Sequence, residues 1–472
     1  MTLSGRSLVT MDDLTNGEIE AIFSVADEMS ASIKEQSGLC RGKVMASLFF
    51  EPSTRTRLSF ETAMHRLGGS VVSAVDPKAT SLAKGESIAD MAKVVGSYAD
   101  IIVIRHPWEG AAKVVSDYAG VPVINAGDGG HQHPTQTLLD LYTIKKARKT
   151  IKGLKIALWG DLKYGRTVHS LIFALAKLGA DILFCPSPGL EVPEHIMEKL
   201  VTEYGGEIER PETATAAAKE GTLPLDAVYI TPGSPHQLAM MPNISIQIEL
   251  KAGVDALYVT RAQKERFTTT EEQKPEAKYP VVDKKMLREK GFKETLIMHP
   301  LPRVDELAYE LDADPRSMYF KQAALGVPVR MALIALLLGS KETPPIQEKE
   351  MSSRIDYPTY QREFGVHCPN PRCVSVQKTE TQYLKPEFKI VNRRPLTLRC
   401  TYCEHGFEPK YVASTDWHEG RIDTKKYHSA RSHWAKKIRP EHLIIFDSEK
   451  EALAHGFKPS HYAKYRRKKD NE

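Results

Sequence analysis

Short apolar runs alternate with helix-patterned segments between Val44 and Cys185, and this alternation limits the possible folds of the 472-residue chain more than any other feature. Val44 to Phe50, Ile101 to Arg105, Val121 to Asn125, Leu154 to Trp159 and Asp181 to Cys185 read as strands. Helical patterns run from about Ser53, from Pro134 to about Lys146 and from Arg166 to Leu178. Proline suits a first helical position, where its missing N–H is no loss. Thr15-Asn16-Gly17-Glu18 is a capping box that opens an earlier helix, expected to reach about Lys34. Strands alternating with helices argue a parallel sheet covered on both faces. The expected class is therefore α/β, with two doubly wound parallel-sheet domains at residues 1–148 and 149–340, joined by helices and closed by the apolar helix Val329 to Leu338.

The first strand runs into Phe49-Phe50-Glu51-Pro52-Ser53-Thr54-Arg55-Thr56-Arg57. Two arginines and three hydroxyl residues thus fall where a strand turns into a helix. Unbonded backbone N–H groups, the positive end of the helix dipole and guanidinium forks converge there, which suits a phosphate. No P-loop lysine motif or G-x-G-x-x-G accompanies it, so an ordinary nucleotide cradle is not indicated. Taken alone, the stretch also fits a capped surface helix with solvated arginines.

Two further motifs bear on that choice. His133-Pro-Thr-Gln136-Thr-Leu-Leu-Asp140 follows a glycine-rich turn, and His299-Pro300-Leu301-Pro302-Arg303 follows a short apolar strand. With the Ser53–Arg57 stretch they resemble, over residues 5 to 340, the aspartate/ornithine carbamoyltransferase family. The proline-flanked Leu301 points to its aspartate branch. The resemblance implies transfer of the carbamoyl group of carbamoyl phosphate to the α-amino group of L-aspartate, by direct attack with no covalent enzyme intermediate. It implies that Ser53, Thr54, Arg55 and Thr56 hold the phosphate, that Arg105 bridges phosphate and carbonyl oxygen, and that His133 donates to that oxygen. Gln136 would bind the carbamoyl amide. Arg166, Arg261 and Gln263 would receive the aspartate carboxylates, which the planar fork of arginine grips bidentately. Pro300 and Leu301 would line the site, with Leu301-Pro302 as a cis-proline turn. Ser81 and Lys84, in a polar loop one residue shorter than the family pattern, would enter the site of a neighbouring subunit. A homo-oligomer, at least a trimer with shared active sites, follows from that. No organic cofactor is implied.

Beyond a polar linker at residues 341–356 the composition changes. Cys368-x4-Cys373 and Cys400-x2-Cys403 form a tetrathiolate pattern suited to one structural Zn2+ per chain. Residues 357–415 resemble the zinc domain of the aspartate carbamoyltransferase regulatory chain, without its effector-binding domain, so nucleotide control through that domain is not expected. Residues 416–472 are similar to the zinc module of methylphosphotriester DNA-repair proteins. Ser432, Ser460 and Ala463 stand where that module has cysteines, so its metal chemistry is not expected. The resemblance leaves two alternatives: a carbamoyltransferase for another amino acid, and a non-catalytic scaffold acting through the C-terminal region.

Charge adds little, because 65 basic residues face 60 acidic ones and suggest no nucleic-acid partner. No run of about eighteen apolar residues appears, so no membrane partner is expected. The start is polar and shows no signal peptide, and six cysteines are too few for a disulfide framework, so a cytoplasmic, reducing location is expected, with Cys40 and Cys185 as buried thiols.

Overall fold

The computed structural model describes residues 2–76, 80–187, 189–204, 253–263, 281–346, 355–362, 364–415 and 425–460. In the first domain β1 (Val44–Phe49), β2 (Ser70–Ala74), β3 (Ile101–His106) and β4 (Val123–Asp128) form a parallel sheet in the order β2-β1-β3-β4. The strand period of two sorts β1 cleanly. Met45 and Phe49 enter one core, with α1 (Asn16–Ala31) and α2 (Thr54–Arg66), while Ala46 and Leu48 enter another, with α3 (Ile88–Gly96) and α4 (Ala111–Tyr118). The capping box forms as expected, with Thr15 and Glu18 each bonding the other's backbone N–H, although α1 stops three residues short of Lys34.

The second domain repeats the plan. β5 (Lys155–Gly160), β6 (Asp181–Pro186), β7 (Ala256–Val259) and β8 (Leu296–Met298) pair in parallel in the order β6-β5-β7-β8. α5 (Pro134–Arg148), α6 (Arg166–Lys177), α7 (Glu194–Tyr204) and α8 (Tyr319–Leu337) join the core that runs continuously under both sheets. α8 begins ten residues before the apolar run that predicts it and passes through Pro328. Its first turns are half solvated, with Phe320 exposed, so the apolar pattern marks only its buried part. This helix is long and apolar enough to cross a membrane, yet it is mostly buried inside the protein core.

Both sheets reverse strand order between their first and third strands. In such sheets the crevice outside the carboxyl ends of those strands receives ligands. β1 and β3 pair Phe49 with Arg105, and β5 and β7 pair Trp159 with Val259, so the segments starting at residues 50, 107, 161 and 260 leave the sheets near these points.

The C-terminal region is antiparallel. β9 (Thr359–Gln361), β10 (Glu387–Arg393), β11 (Leu396–Cys400) and β12 (Gly406–Phe407) form one sheet. β13 (Tyr411–Ser414), β14 (Lys426–Ser429), β15 (Leu443–Phe446) and β16 (Lys458–Pro459) form another, with α9 (Glu449–Ala454) between the last two. Tyr411–Ser414, assigned by sequence to the zinc domain, pairs in the last sheet and so links the two modules. Val412, Leu443 and Ile445 share one core with Phe388, Leu398 and the four cysteines, which makes the two modules a single packed body. Ser432 and Ser460 are buried. Ala463 lies outside the described residues, as do residues 205–252 and 264–280.

This body sits on both α/β domains. Glu109 exchanges backbone hydrogen bonds with Arg372 and Val374, and Glu380 accepts the N–H of Ile88 at 3.1 Å. Glu404 accepts from Gln132 at 2.9 Å and from Lys199 of α7 at 2.8 Å, and lies 3.0 Å from His131. Gly110, at φ +86, is approached by Tyr402 so closely that a Cβ there would lie 2.7 Å from its backbone, which excludes any larger residue.

Candidate active site

The facing carboxyl ends of the two sheets enclose a cavity of about 620 Å³. The first domain lines it with Ser53, Thr54, Arg55, Thr56, Arg105, His133 and Gln136, and the second with Arg166, Arg261, Gln263, Pro300 and Leu301. These residues are scattered over more than two hundred positions, and two strand-order reversals bring them together. Ser81 and Lys84 are not among them. They lie in an exposed 3₁₀ turn, Ser81–Lys84, away from the cavity of their own chain.

The N-termini of α2, α5 and α6 border this cavity. None has an acidic residue in its first turn, and none of the N-cap residues, Ser53, His133 and Gly165, makes a side-chain cap bond. Their positive dipole ends thus meet whatever lies in the cavity.

The guanidinium groups are only partly compensated. Glu51 receives Arg166 at 2.6 Å and lies 3.4 Å from Arg105, tying the two domains across the cleft. Arg105 also donates to the Ala126 carbonyl at 3.2 Å. Gly127, at φ +116, makes room for both: a Cβ there would stand 3.0 Å from the Arg105 guanidinium and 3.3 Å from that of Arg166. Partial burial lowers Arg55, and the Arg261 charge across the cleft lowers it further. Two cations that repel each other across a cavity are stabilised when an anion enters between them.

His133 is buried, and its backbone N–H donates to Ser170 at 2.7 Å, which in turn donates to the Arg166 carbonyl. Burial, then the charges of Arg105, Arg166 and Arg330, hold its pKa well below the usual histidine range. The ring, which lines the cavity, is therefore neutral and has one N–H to donate. His299 is fixed by Glu306 at 2.8 Å, and its Nδ1 accepts the Leu301 N–H at 2.8 Å, so the turn with its cis Leu301–Pro302 bond is held at the cavity wall. Asp161 accepts the N–H groups of Lys163, Tyr164 and Gln263, which binds the loop before Arg166 to the segment carrying Arg261.

Several lining residues carry no expectation from sequence. Glu51 and His299 belong to the quoted motifs without a role. Arg330 sits on the buried part of α8, stacks over Phe60 at 4.9 Å, donates to Ser59 at 2.8 Å and is lowered by burial to about 10. A lone arginine in the apolar run Val329 to Leu338 was the available signal, since a charge is not buried there without use. Burial pushes Asp140, under the cavity floor, up to about 7.

The four cysteines form a second centre. Their sulfurs lie within 4.8 Å of one another, with Cys368–Cys403 at 3.6 Å and Cys373–Cys400 at 3.7 Å. Metal–sulfur bonds of about 2.3 Å give a tetrahedron with edges of about 3.8 Å, so the donor set fits a closed metal site. These spacings exclude disulfides. Ser375 lies 3.1 Å from the Cys373 sulfur, and Asn370 donates to Cys403.

Comparisons with known proteins agree with this geometry. Residues 6–146 match the carbamoyl-phosphate-binding domain of aspartate/ornithine carbamoyltransferases, and residues 238–337 the aspartate/ornithine-binding domain. Residues 362–413 match the metal-binding domain of the aspartate carbamoyltransferase regulatory chain. The chain is 48% identical over 343 residues to the aspartate carbamoyltransferase catalytic subunit of Thermococcus gammatolerans, covering 72% of this chain and 99% of the relative. It is 45% identical over 339 residues to that of Clostridium perfringens, covering 71% and 99%. Among solved structures it resembles the catalytic subunit of M. jannaschii aspartate transcarbamoylase, at 43% identity and TM-score 0.56, covering 71% of this chain and 98% of that one. It also resembles Trypanosoma cruzi aspartate transcarbamoylase in complex with N-(phosphonacetyl)-L-aspartic acid, at 36% identity and TM-score 0.58, covering 71% and 97%.

Proposed function

The chain belongs to the aspartate/ornithine carbamoyltransferase family, and we propose that it is an aspartate carbamoyltransferase joined in one polypeptide to a regulatory-chain metal-binding domain. The observation that carries this is a single cavity lined by cations from both domains around a neutral histidine.

The phosphate of carbamoyl phosphate lies at the N-terminus of α2, against Ser53, Thr54, Arg55 and Thr56, with Arg105 between phosphate and carbonyl oxygen. His133 donates a hydrogen bond to that oxygen. Arg166, Arg261 and Gln263 face the carboxylates of L-aspartate, and Pro300 and Leu301 line the wall. The amine nitrogen of aspartate, as the free base, forms a bond to the carbonyl carbon, and the proton it loses passes to an oxygen of the departing phosphate. Negative charge grows on the carbonyl oxygen, where His133 and Arg105 stabilise it, and the C–O bond to phosphate then breaks. Catalysis consists of positioning and electrostatic stabilisation. No side chain serves as a nucleophile. The products are N-carbamoyl-L-aspartate, as in de novo pyrimidine synthesis, and phosphate. A steady-state assay with carbamoyl phosphate and L-aspartate, with and without N-phosphonacetyl-L-aspartate, tests the proposal. Turnover blocked by that compound is expected; turnover with another amino acid but not with aspartate would overturn it.

The tetrathiolate holds Zn2+, for which four thiolates in a closed tetrahedron are the usual ligand set. The reduced cysteines fit a cytoplasmic location. Ser81 and Lys84 lie away from their own cavity, so they serve the site of an adjacent subunit in a trimer. Mixing inactive Lys84→Ala and His133→Ala chains should restore activity through hybrid sites, and no recovery would show that each subunit is self-contained.

A further inference from the structure

Asp140 ends the His133–Asp140 motif and plays no part in the chemistry above. It is fully buried on α5, one turn after Gln136. Side chains from three elements donate to it. Gln136 Nε2 and Gln322 Nε2 reach Oδ1 at 2.8 and 2.6 Å, and the Tyr258 hydroxyl reaches Oδ2 at 2.8 Å.

The polarity of this cluster is forced from one end. The backbone N–H of His299 can only donate, and it donates to Gln322 Oε1 at 3.1 Å. That sets the Gln322 amide, whose nitrogen consequently faces Asp140. Asp140 Oδ1 must accept, so the Gln136 nitrogen faces it as well. The Gln136 oxygen is the atom left for the cavity that this residue lines. An unrestrained glutamine presents either end, because its two termini differ little in shape. A carbamoyl NH2 group has two donors to offer, so it binds an outward oxygen and is repelled by an outward NH2.

We infer that Asp140 is a positioning residue: through the Asp140–Gln322–His299 chain it turns Gln136 Oε1 toward the carbamoyl amide and so makes the site selective for an amide at that position. This rests on the carbamoyl-phosphate reading of the same cavity. Asp140 touches no substrate atom and acts only through Gln136.

Two probes separate this role from general damage. Phosphonoacetamide, the methylene analogue of carbamoyl phosphate, carries the amide; inorganic phosphate does not. Their affinities for the full chain are measured calorimetrically at pH 8, where Asp140 is ionised. Asp140→Ala is expected to weaken phosphonoacetamide by about tenfold, the scale of one lost hydrogen bond, while phosphate changes by less than about twofold. Asp140→Asn can still accept from both glutamines and should keep phosphonoacetamide within about threefold. If the alanine variant does not fold, Asp140→Leu, of similar shape, replaces it. Equal loss of both ligands, no loss of either, or an asparagine variant as weak as alanine would overturn the inference. Failure of the unmodified protein to bind phosphonoacetamide would overturn the carbamoyl-phosphate reading instead.

Discussion

His131 and His133 are two residues apart and belong to different regions. His131 lies in the seat of the metal-binding body, with one ring nitrogen 2.9 Å from Asp128 and the other 3.0 Å from Glu404. The two carboxylates outweigh its burial and raise its pKa well above the usual value. His133 faces the cavity, where burial and three arginines lower its pKa well below that value. The same contrast runs through the neighbouring charges. In the seat Lys199 meets Asp12 at 2.6 Å and Glu404 at 2.8 Å, and Arg399 pairs with Glu203. In the cleft Arg55 and Arg261 repel each other and three cations surround a neutral ring. Matched charge holds domains together, whereas an excess of one sign leaves a field for a ligand to complete.

Removing the metal should have the largest effect, because structural zinc sites are worth on the order of 10 kcal/mol of apparent binding energy. Chelation is expected to release about one zinc per chain, the content of one tetrathiolate site, and to unfold the C-terminal body by circular dichroism. Persistence of that body without metal would remove the basis of the contrast on the seat side.

Next is Arg55→Ala. It should lose about 3 kcal/mol or more of transition-state stabilisation, read as kcat/KM, with an unchanged melting temperature. Near-normal turnover would show that the cleft charge is not catalytic. Lys199→Met should do the reverse. It leaves Asp12 and Glu404 facing each other with no cation from α7, at a cost of about 3 kcal/mol in denaturant unfolding. A larger loss in kcat than in stability would show that the seat acts on chemistry too.

The smallest effect is in titration. His133, and His106 with a pKa lowered to about 4, stay neutral in the folded protein and take up protons on unfolding. Their folded pKa values are depressed, so their contribution is complete above about pH 6.5 and falls as the pH drops below it, by about 2 kcal/mol each between pH 7 and 5. His131 has the opposite sign. Its raised pKa contributes stability that is complete below about pH 6.5 and is lost as the pH rises through the folded value. Histidine NMR at pH 6.5 should show His131 as imidazolium and His133 as imidazole. Matching protonation of the two rings would end the comparison.

The parts of this molecule legible in sequence are the local ones. The strand–helix alternation placed six of the eight strands of the two parallel sheets to within about three residues, within the ordinary disagreement over element ends, but it did not announce Ser70–Ala74 or Ala256–Val259. The Ser53–Thr56 stretch and the paired cysteines could be read because their neighbours in sequence are their neighbours in space. Arg330 and Asp140 could not, since one looked like part of an apolar helix and the other like the end of a motif. Nothing near His131 announced Glu404, which lies 273 residues away.

The order of residues along the chain thus sufficed for six of the eight parallel strands, the turn into the helix at Ser53 and the four-cysteine cluster, because hydrophobic period, turn chemistry and cysteine spacing act over a few residues. Folding alone settled which arginines face one another across the cleft, which histidine is charged, and which end of Gln136 meets the ligand. Those outcomes depend on burial and on partners brought close from distant segments, and a charge or an amide takes its state from what surrounds it in space.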